Sequence, residues 1–320
     1  MEHEIPVTMQ AVVCPAALPA DDPDCLVDAE LPVPSPAADD LLVRVHAVSV
    51  NPIDTKMRMM RSPHAKAPVR ARVLGWDAAG EVRALGANVR GFEVGDRVYY
   101  AGSIGRSGCD SEWHCVDHRL VGRMPAGWSF AQAAALPLTT LTAWEALFER
   151  LYLGALPFQA AGPKRAPVVL IVGGAGGVGS MAIQLACQVP GATVIATASR
   201  ATSADWCRTL GAHHVVAHDD ALPERVRELA PGGVDALLLT RDPDHYLPSL
   251  APVMAVFGQV CSIVEARDAL SLAALRPGFG RIRLGGHVHP RHAPRGRPRS
   301  PGADSERGCR VVRVGPSAAP

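Results

Sequence analysis

A short apolar strand that ends in a glycine-rich turn constrains this chain more than any other feature. Residues 168–172 read Val-Val-Leu-Ile-Val, the next seven residues include five glycines, and a helical pattern follows from Ser180. Gly174, Gly176 and Gly179 form G-x-G-x-x-G in the strand–turn–helix setting of dinucleotide-binding folds. Such a turn lets the backbone approach a diphosphate, and the helix N-terminus offers free N–H groups. We therefore predict nucleotide binding here, with Gly177 and Val178 also in contact, over a purely structural turn.

The end of the next strand indicates which dinucleotide binds. An acid about twenty residues after the last glycine usually holds the ribose hydroxyl of NAD. Here the strand Thr193–Ala198 is followed by Ser199 and Arg200, with no carboxylate. A guanidinium can bind a 2′-phosphate with forked geometry. The pattern predicts NADP(H), although Arg200 alone could equally be a solvated loop charge.

Composition bounds the class of protein. The 320 residues carry a net charge of +1, and 48% of them are hydrophobic. No apolar run approaches the ~20 residues of a membrane span, and the N-terminal sequence is not that of a secretory signal. Eight scattered cysteines without a C-x-x-C pair fit reduced thiols. We expect a soluble, cytoplasmic protein that does not bind membranes.

Two kinds of pattern divide the chain. Residues 9–129 contain short alternating runs separated by turn residues, which predicts an antiparallel, barrel-like β domain. Residues 130–275 contain a helical stretch, then strands alternating with helices, which predicts an α/β domain with a doubly wound parallel sheet of five strands. Residues 276–320 hold ten Arg, two acids and fifteen Gly or Pro. Such a composition predicts an irregular tail with at most one short strand, Arg281–Leu284.

Several motifs together resemble the medium-chain dehydrogenase/reductases. They are Gly75-Trp76-Asp77-Ala78-Ala79-Gly80, Gly95-Asp96-Arg97-Val98, residues 134–147 (Ala-Ala-Leu-Pro-Leu-Thr-Thr-Leu-Thr-Ala-Trp-Glu-Ala-Leu) and the glycine turn. The chain is most similar to the quinone oxidoreductase and zeta-crystallin-like branch, whose members are often labelled zinc-type alcohol dehydrogenase-like. The resemblance implies a GroES-like barrel domain and a Rossmann domain, with the active site in the cleft between them. It also implies a homodimer, an expectation that the altered tail weakens.

The resemblance also bears on zinc. Zinc-dependent relatives place a Cys and a His where this chain has Asn51 and Trp76. An amide is a poor zinc ligand, and an indole offers no lone pair. Another set, Cys109, His114, Cys115 and His118, is expected to be ordinary strand and loop residues, because His114 and Cys115 are adjacent and point to opposite faces. A zinc-free reductase is therefore expected, with Trp76 as a wall of the cleft.

The family motifs assign roles to individual residues. Asn51 is expected to hydrogen-bond substrate or nicotinamide ribose, and Asp54 to hold the loop, or to be only a turn residue. Thr142 matches a threonine near the nicotinamide carboxamide, or is a helix residue satisfied locally. His218 matches a position beside the adenosine phosphate, or is a surface histidine. The reaction expected is hydride transfer to a quinone or conjugated carbonyl.

The tail leaves the function of the chain open. Residues 276–320 depart from the family, and three origins are considered: a shifted reading frame, a basic arm that touches RNA, which is disfavoured, and a metal-binding His tract. We expect the segment to lack the sixth strand of the sheet, which would expose the edge of the fifth. The alternative function is therefore an inactive nucleotide-binding remnant; a zinc-dependent alcohol dehydrogenase is the third.

Overall fold

The computed structural model describes residues 4–59, 72–154, 166–268, 281–284 and 310–312, the last two ranges as backbone only. The chain forms two compact units that meet in sequence between Leu138 and Thr139. The predicted boundary lies earlier, between residues 129 and 130. Most of the predicted tail, residues 276–320, lies outside the described residues.

The first unit is built from antiparallel strands. Its elements are β1 (Thr8–Cys14), β2 (Val27–Pro32), β3 (Asp40–Ser49), α1 (Pro52–Met59), β4 (Arg72–Val73), β5 (Asp77–Leu85), β6 (Arg97–Ala101), β7 (Trp113–Asp117), β8 (Val121–Arg123) and α2 (Phe130–Ala134). The strands form a three-stranded sheet in the order β2-β1-β4 and a five-stranded sheet in the order β7-β3-β5-β6-β8. Alternating side chains such as Leu41, Val43, Val82 and Val98 form one buried cluster. The expected antiparallel β domain is confirmed.

The second unit is an α/β sandwich. Helix α3 (Pro137–Trp144) and a π-helical segment, Glu145–Arg150, lead into it. Its further elements are β9 (Val168–Val172), α4 (Gly177–Cys187), β10 (Thr193–Thr197), α5 (Ala201–Thr209), β11 (His214–Val216), α6 (Leu222–Leu229), β12 (Val234–Leu239), α7 (Pro243–Leu250), β13 (Met254–Ser262), β14 (Arg281–Leu284) and β15 (Arg310–Val312). Strand β9 is buried at all five positions because helices cover both faces of the sheet. The predicted Rossmann-type fold is confirmed.

Within the described residues the sheet has seven strands, in the order β11-β10-β9-β12-β13-β14-β15, where five were predicted in residues 130–275 and at most one after them. The expected strand Arg281–Leu284 is present and lies parallel to β13, in the sixth position of the usual 3-2-1-4-5-6 order. The expectation that the edge of the fifth strand is uncovered is therefore wrong. The alternation Arg-Ile-Arg-Leu is compatible with a strand, so this piece of an otherwise Pro- and Gly-rich segment can still pair.

Candidate functional site

The glycine turn lies at the point where the strand order of the second unit reverses. The chain leaves β9 in the middle of the sheet, with β10 and β11 on one side and β12 and β13 on the other. Ligands of open α/β sheets bind beyond the carboxyl ends of the strands at such a switch point. Gly173 begins the turn with φ +84°, a left-handed conformation that strains any side chain. The strand order therefore places the glycine turn where ligands of such sheets bind.

The backbone N–H groups at the start of α4 can bind an anion. Helix α4 begins at Gly177, and its N-cap residue, Gly176, has no side chain to satisfy the first-turn N–H groups. The N–H groups of Gly177, Val178 and Gly179 therefore have no partner within the helix. A Cβ on Gly176 would meet only Gly173 O, at 3.4 Å, so the space beside it is otherwise open. This cradle fits the diphosphate of a dinucleotide.

The carboxyl end of β10 carries the two predicted ribose-side residues. Ser199 and Arg200 are both exposed, and Arg200 is the N-cap residue of α5. The Ser199 hydroxyl accepts the backbone N–H of His218 at 3.0 Å. Arg200 forms no ion pair within the described residues. Its charge is thus available at the edge where a ribose phosphate would lie.

His218 lies at the same edge, after β11, and is only partly exposed. Its Nε2 is 3.1 Å from Thr197 Oγ1 and its Nδ1 is 2.9 Å from the Tyr246 hydroxyl. Burial lowers the pKa of His218, and the nearby charge of Arg241 lowers it further. The residue is therefore a neutral imidazole with both ring nitrogens occupied, not a free surface histidine.

Thr142 lies in helix α3 and is nine-tenths buried. Its hydroxyl makes no hydrogen bond with the part of the chain that the structure describes, so it is not satisfied locally. Thr139, one turn earlier, lies against the glycine turn: its Cγ2 would be 2.9 Å from a Cβ on Gly177. Helix α3 thus brings its hydroxyl-bearing face to the cradle.

Arg241 is a candidate that the sequence analysis missed. It lies two residues after the end of β12, and its Cδ would lie 3.8 Å from a Cβ on Gly173. The side chain is exposed and has no ion-pair partner among the described residues. Asp242, the next residue, has φ 41°, which turns the backbone sharply after the arginine. The sequence signal for Arg241 is a cation just after the fourth strand of the parallel sheet. Because β12 pairs with β9, its carboxyl end lies beside the glycine turn.

The first unit contains the second predicted site, around Asn51 and Asp54. Both side chains are buried, at 7% exposure. The Asp54 carboxylate accepts the backbone N–H of Asn51 at 2.6 Å, which closes the turn at the start of α1. Burial raises the pKa of Asp54, partly offset by the amides of Asn51 and Gly75. The carboxylate therefore fixes the segment that carries Asn51.

Asp77 is the principal residue that the sequence analysis missed at this site. It begins β5 and is fully buried, and its Oδ2 accepts the Asn51 side-chain amide at 2.9 Å. Its Oδ1 accepts the backbone N–H of Leu138 at 2.8 Å. Burial raises the pKa of Asp77 to about 7, against the lowering effect of these two bonds. An acid within the apolar strand Asp77-Ala78-Ala79 was the available signal, since buried carboxylates need partners.

A third carboxyl group, Asp110, lies in the same neighbourhood. Its Oδ1 would be 2.1 Å from a Cβ on Gly75, whose φ of +87° by itself favours glycine at that position. Burial raises the pKa of Asp110 to about 6, and the charge of Asp54 contributes. The first unit therefore holds three carboxyl groups, Asp54, Asp77 and Asp110, whose pKa values are raised by burial.

Models of known protein families match residues in both units of the chain. The model for the alcohol dehydrogenase GroES-like domain matches residues 37–145, and the model for zinc-binding dehydrogenases matches residues 177–287. A zinc-type alcohol dehydrogenase-like protein from Staphylococcus aureus is 39% identical over 243 residues, covering 76% of this chain and 70% of the relative. The chain belongs to the medium-chain dehydrogenase/reductase superfamily.

Solved structures of this superfamily extend the comparison. The quinone oxidoreductase of Coxiella burnetii is 31% identical, with a TM-score of 0.65, covering 80% of this chain and 76% of the other. A mycobacterial protein complexed with NADPH is 27% identical, with a TM-score of 0.67, covering 86% and 80%. The superfamily binds a nicotinamide cofactor and catalyses oxidation and reduction. No helix in the described ranges is long and apolar enough to cross a membrane.

Among the residues that the structure describes, Asn51 and Trp76 do not fit a catalytic zinc ion, although the model for zinc-binding dehydrogenases matches the second unit. Trp76 is 1% exposed and packs with Cys14, Ile53, Met57 and Leu74. The expectation that Trp76 lines a cleft is therefore wrong, because the indole belongs to the core of the first unit. The amide of Asn51 is directed at Asp77, and an amide nitrogen is no zinc ligand.

The Cys and His residues of the first unit do not converge either. The His114 ring nitrogens bind the Tyr100 hydroxyl and Ser107 O, and burial lowers the pKa of His114 to about 4. The Cys109 thiol donates to Asp77 O at 3.4 Å, and burial raises its pKa. Nowhere in the described chain do three or more His, Cys, Asp or Glu side chains form a set that could hold a metal. Cys109 and His114 are buried and hydrogen-bonded within the first unit.

Proposed function

We propose that this chain is a zinc-free, NADPH-dependent reductase that transfers hydride to a quinone or a conjugated carbonyl. The observation that carries the proposal is the pairing of an uncapped glycine turn with Ser199 and Arg200 at the next strand end. The turn provides amides for a diphosphate, and the strand end provides a cation where NAD-specific relatives carry an acid. The NADPH complex of a mycobacterial relative supports the same cofactor.

The residues of the site have separate tasks in this proposal. Gly174, Gly176, Gly177, Val178 and Gly179 hold the diphosphate, while Ser199 and Arg200 hold the 2′-phosphate. Bound NADPH supplies the hydride. Thr142, with its unpartnered hydroxyl, orients the carboxamide of the nicotinamide ring. His218 supports the strand end that carries these contacts through Thr197 and Tyr246.

The acceptor class follows from the donor set of the first unit. Asn51 and Trp76 stand where zinc-dependent relatives place metal ligands, so no Lewis acid is available there to stabilise an alkoxide. A quinone or an enone is already polarised and needs only positioning and hydrogen bonds. The similarity to a quinone oxidoreductase supports this acceptor class. The homodimer that the family resemblance implies stays a prediction, which the altered tail weakens.

Calorimetric titration of the purified protein with NADPH and NADH tests the proposal. We expect NADPH to bind at least about tenfold more tightly, which corresponds to about 1.4 kcal/mol. Arg200→Ala should remove most of that difference, whereas Arg208→Ala, an exposed cation paired with Asp205 on α5, should not. Equal affinities of the wild-type protein for the two dinucleotides would contradict the cofactor assignment.

Turnover separates an enzyme from a nucleotide-binding remnant. NADPH oxidation is followed with 1,4-benzoquinone and with a simple enone, with and without a zinc chelator. Turnover that survives chelation supports the zinc-free reductase. Binding without turnover would favour the remnant, and activity lost together with stoichiometric zinc would favour an alcohol dehydrogenase.

A further inference from the structure

We propose that Asp77 fixes the carboxamide of Asn51 so that this residue presents a hydrogen-bond acceptor to its ligand. Asn51 therefore binds a hydroxyl group and does not donate to the carbonyl oxygen of the acceptor. Asp77 acts through Asn51 as a positioning residue. The identity of the ligand rests on the proposed function, whereas the orientation of the amide does not.

Both N–H groups of the Asn51 side chain are already used. Nδ2 donates to Asp77 Oδ2 at 2.9 Å and to the backbone oxygen of Ser49 at 3.2 Å. The backbone oxygen of Ser49 only accepts hydrogen bonds, whatever the charge of Asp77, so the nitrogen of the amide, not its oxygen, must lie on this side. The amide oxygen of Asn51 makes no hydrogen bond with the described residues, although the side chain is more than nine-tenths buried.

The two partners cannot turn away from each other. The second oxygen of Asp77 is held by the backbone N–H of Leu138 at 2.8 Å. Its backbone is fixed in β5, where Asp77 pairs with Ser49 on one side and Ala101 on the other. The main chain of Asn51 is held by Asp54 at 2.6 Å. The amide of Asn51 is thus oriented before any ligand binds.

The amide oxygen of Asn51, which makes no hydrogen bond with the described residues, determines which groups Asn51 can bind. Its oxygen accepts a proton from a hydroxyl group, and a carbonyl oxygen has no proton to give. The hydroxyl can come from the nicotinamide ribose of the dinucleotide or from the alcohol or hydroquinone formed as product. In either case the oxyanion that develops during hydride transfer needs a different donor.

Replacing Asp77 by Asn should reverse which atom of the Asn51 amide, oxygen or nitrogen, is left for a ligand. The volume of the side chain at position 77 hardly changes. The backbone N–H of Leu138 is a fixed donor, so the new amide oxygen must face it. The new NH2 group would then face the NH2 group of Asn51, and the Asn51 amide must rotate to accept from it, giving up its hydrogen bond to Ser49 O. Asn51 would present its nitrogen, and a hydroxyl ligand would lose its acceptor.

Binding of two matched ligand pairs tests the inference. The first pair is NADPH and its analogue without the 2′-hydroxyl of the nicotinamide ribose; the second is hydroquinone and its dimethyl ether. Affinities are measured for the wild-type protein, Asp77→Asn, Asn51→Ala and the control Asp110→Asn. One neutral hydrogen bond predicts a preference of about tenfold for the hydroxyl member of one pair.

We expect that preference in the wild-type protein and in Asp110→Asn, and its loss in Asp77→Asn and Asn51→Ala. The pair that shows it identifies the source of the hydroxyl. A preference retained in Asp77→Asn, or absent from both pairs in the wild-type protein, would overturn the inference.

A measurement on the ligand-free protein decides the orientation independently. Hydrogen exchange of the Asn51 side-chain amide, followed by nuclear magnetic resonance, should be slow for both protons, because Asp77 and Ser49 hold them. Exchange at the rate of an exposed amide would refute the inference. Failure to bind NADPH would refute the proposed function and leave this measurement valid.

Discussion

His218 Nε2 lies 3.1 Å from Thr197 Oγ1, and the same hydroxyl oxygen accepts the backbone N–H of Gly173 at 2.9 Å. Thr197 is 1% exposed, so its hydroxyl depends on these partners. The end of β11 is therefore joined through one buried side chain to the first residue of the glycine turn. This connection fixes two strand ends that the nucleotide would contact.

Substitution of His218 should affect stability more than cofactor choice. His218→Ala removes the imidazole partner of the Tyr246 hydroxyl and leaves the Thr197 hydroxyl with only the Gly173 N–H, which should lower the free energy of unfolding by about 1–3 kcal/mol. Because both ring nitrogens are occupied, the NADPH-to-NADH affinity ratio should change by less than about threefold. Denaturant unfolding and calorimetry measure the two quantities. His214→Ala, at an exposed position on β11, is the control. A large drop in the NADPH-to-NADH affinity ratio with unchanged stability would contradict this role of His218.

Gly176 and Gly179 should separate binding from folding. A Cβ on Gly176 has only one neighbour, at 3.4 Å, whereas a Cβ on Gly179 would lie 2.2 Å from Gly173 O. Gly176→Ala should fold with stability within about 0.5 kcal/mol of the wild-type value. Its affinity for NADPH should fall at least about tenfold, because the methyl group occupies the space of the diphosphate. Gly179→Ala should lose about 1–3 kcal/mol of stability. Undiminished NADPH affinity in folded Gly176→Ala would argue against a diphosphate at this turn.

Arg241 should contribute equally to both dinucleotides. Its side chain lies beside Gly173, close to where the diphosphate common to NADPH and NADH would bind. Arg241→Ala should weaken both by a similar factor, about three- to tenfold, and high salt should reduce the effect. The NADPH and NADH affinities of the double variant with Arg200→Ala, compared with those of the single variants, show which dinucleotide contacts depend on each arginine. A loss confined to NADPH would instead assign Arg241 to the 2′-phosphate.

Asp77 should make stability depend on pH in a defined direction. Burial raises the pKa of Asp77 to about 7 in the folded state, above its ordinary value of 3.8. Between those two values the folded protein binds more protons than the unfolded chain, so the contribution of Asp77 to stability decreases as the pH rises from about 4 to 7. At about 1.4 kcal/mol per pKa unit, the total change is at most about 4 kcal/mol.

Chemical denaturation of the wild-type protein and Asp77→Asn at pH 5 and pH 8 measures this effect. The wild-type protein should lose stability relative to the variant at the higher pH, since the variant cannot ionise. His114, with a pKa lowered to about 4, acts in the opposite direction but is present in both proteins and cancels. A pH-independent difference between the two proteins would show that Asp77 stays ionised throughout this range.

Much of the fold could be read from local patterns. Each strand and helix of the second unit depends on a continuous run of residues, and the observed bounds of β9 are those of the apolar run at residues 168–172. The Pro- and Gly-rich end of the chain has no such local pattern. Its composition predicts an irregular segment, whereas pairing with β13 decides whether Arg281–Leu284 extends the sheet.

The sequence alone determined the glycine turn, the missing acid at Ser199–Arg200 and the absence of zinc donors at Asn51 and Trp76, because each is a matter of residue type within a short motif. Only the tertiary structure decided how those residues are oriented. Asp77 meets partners 26 residues before it and 61 residues after it, and no local pattern reports such a pair. Strand pairing brings them together, and burial then fixes which atom of Asn51 is left for a ligand.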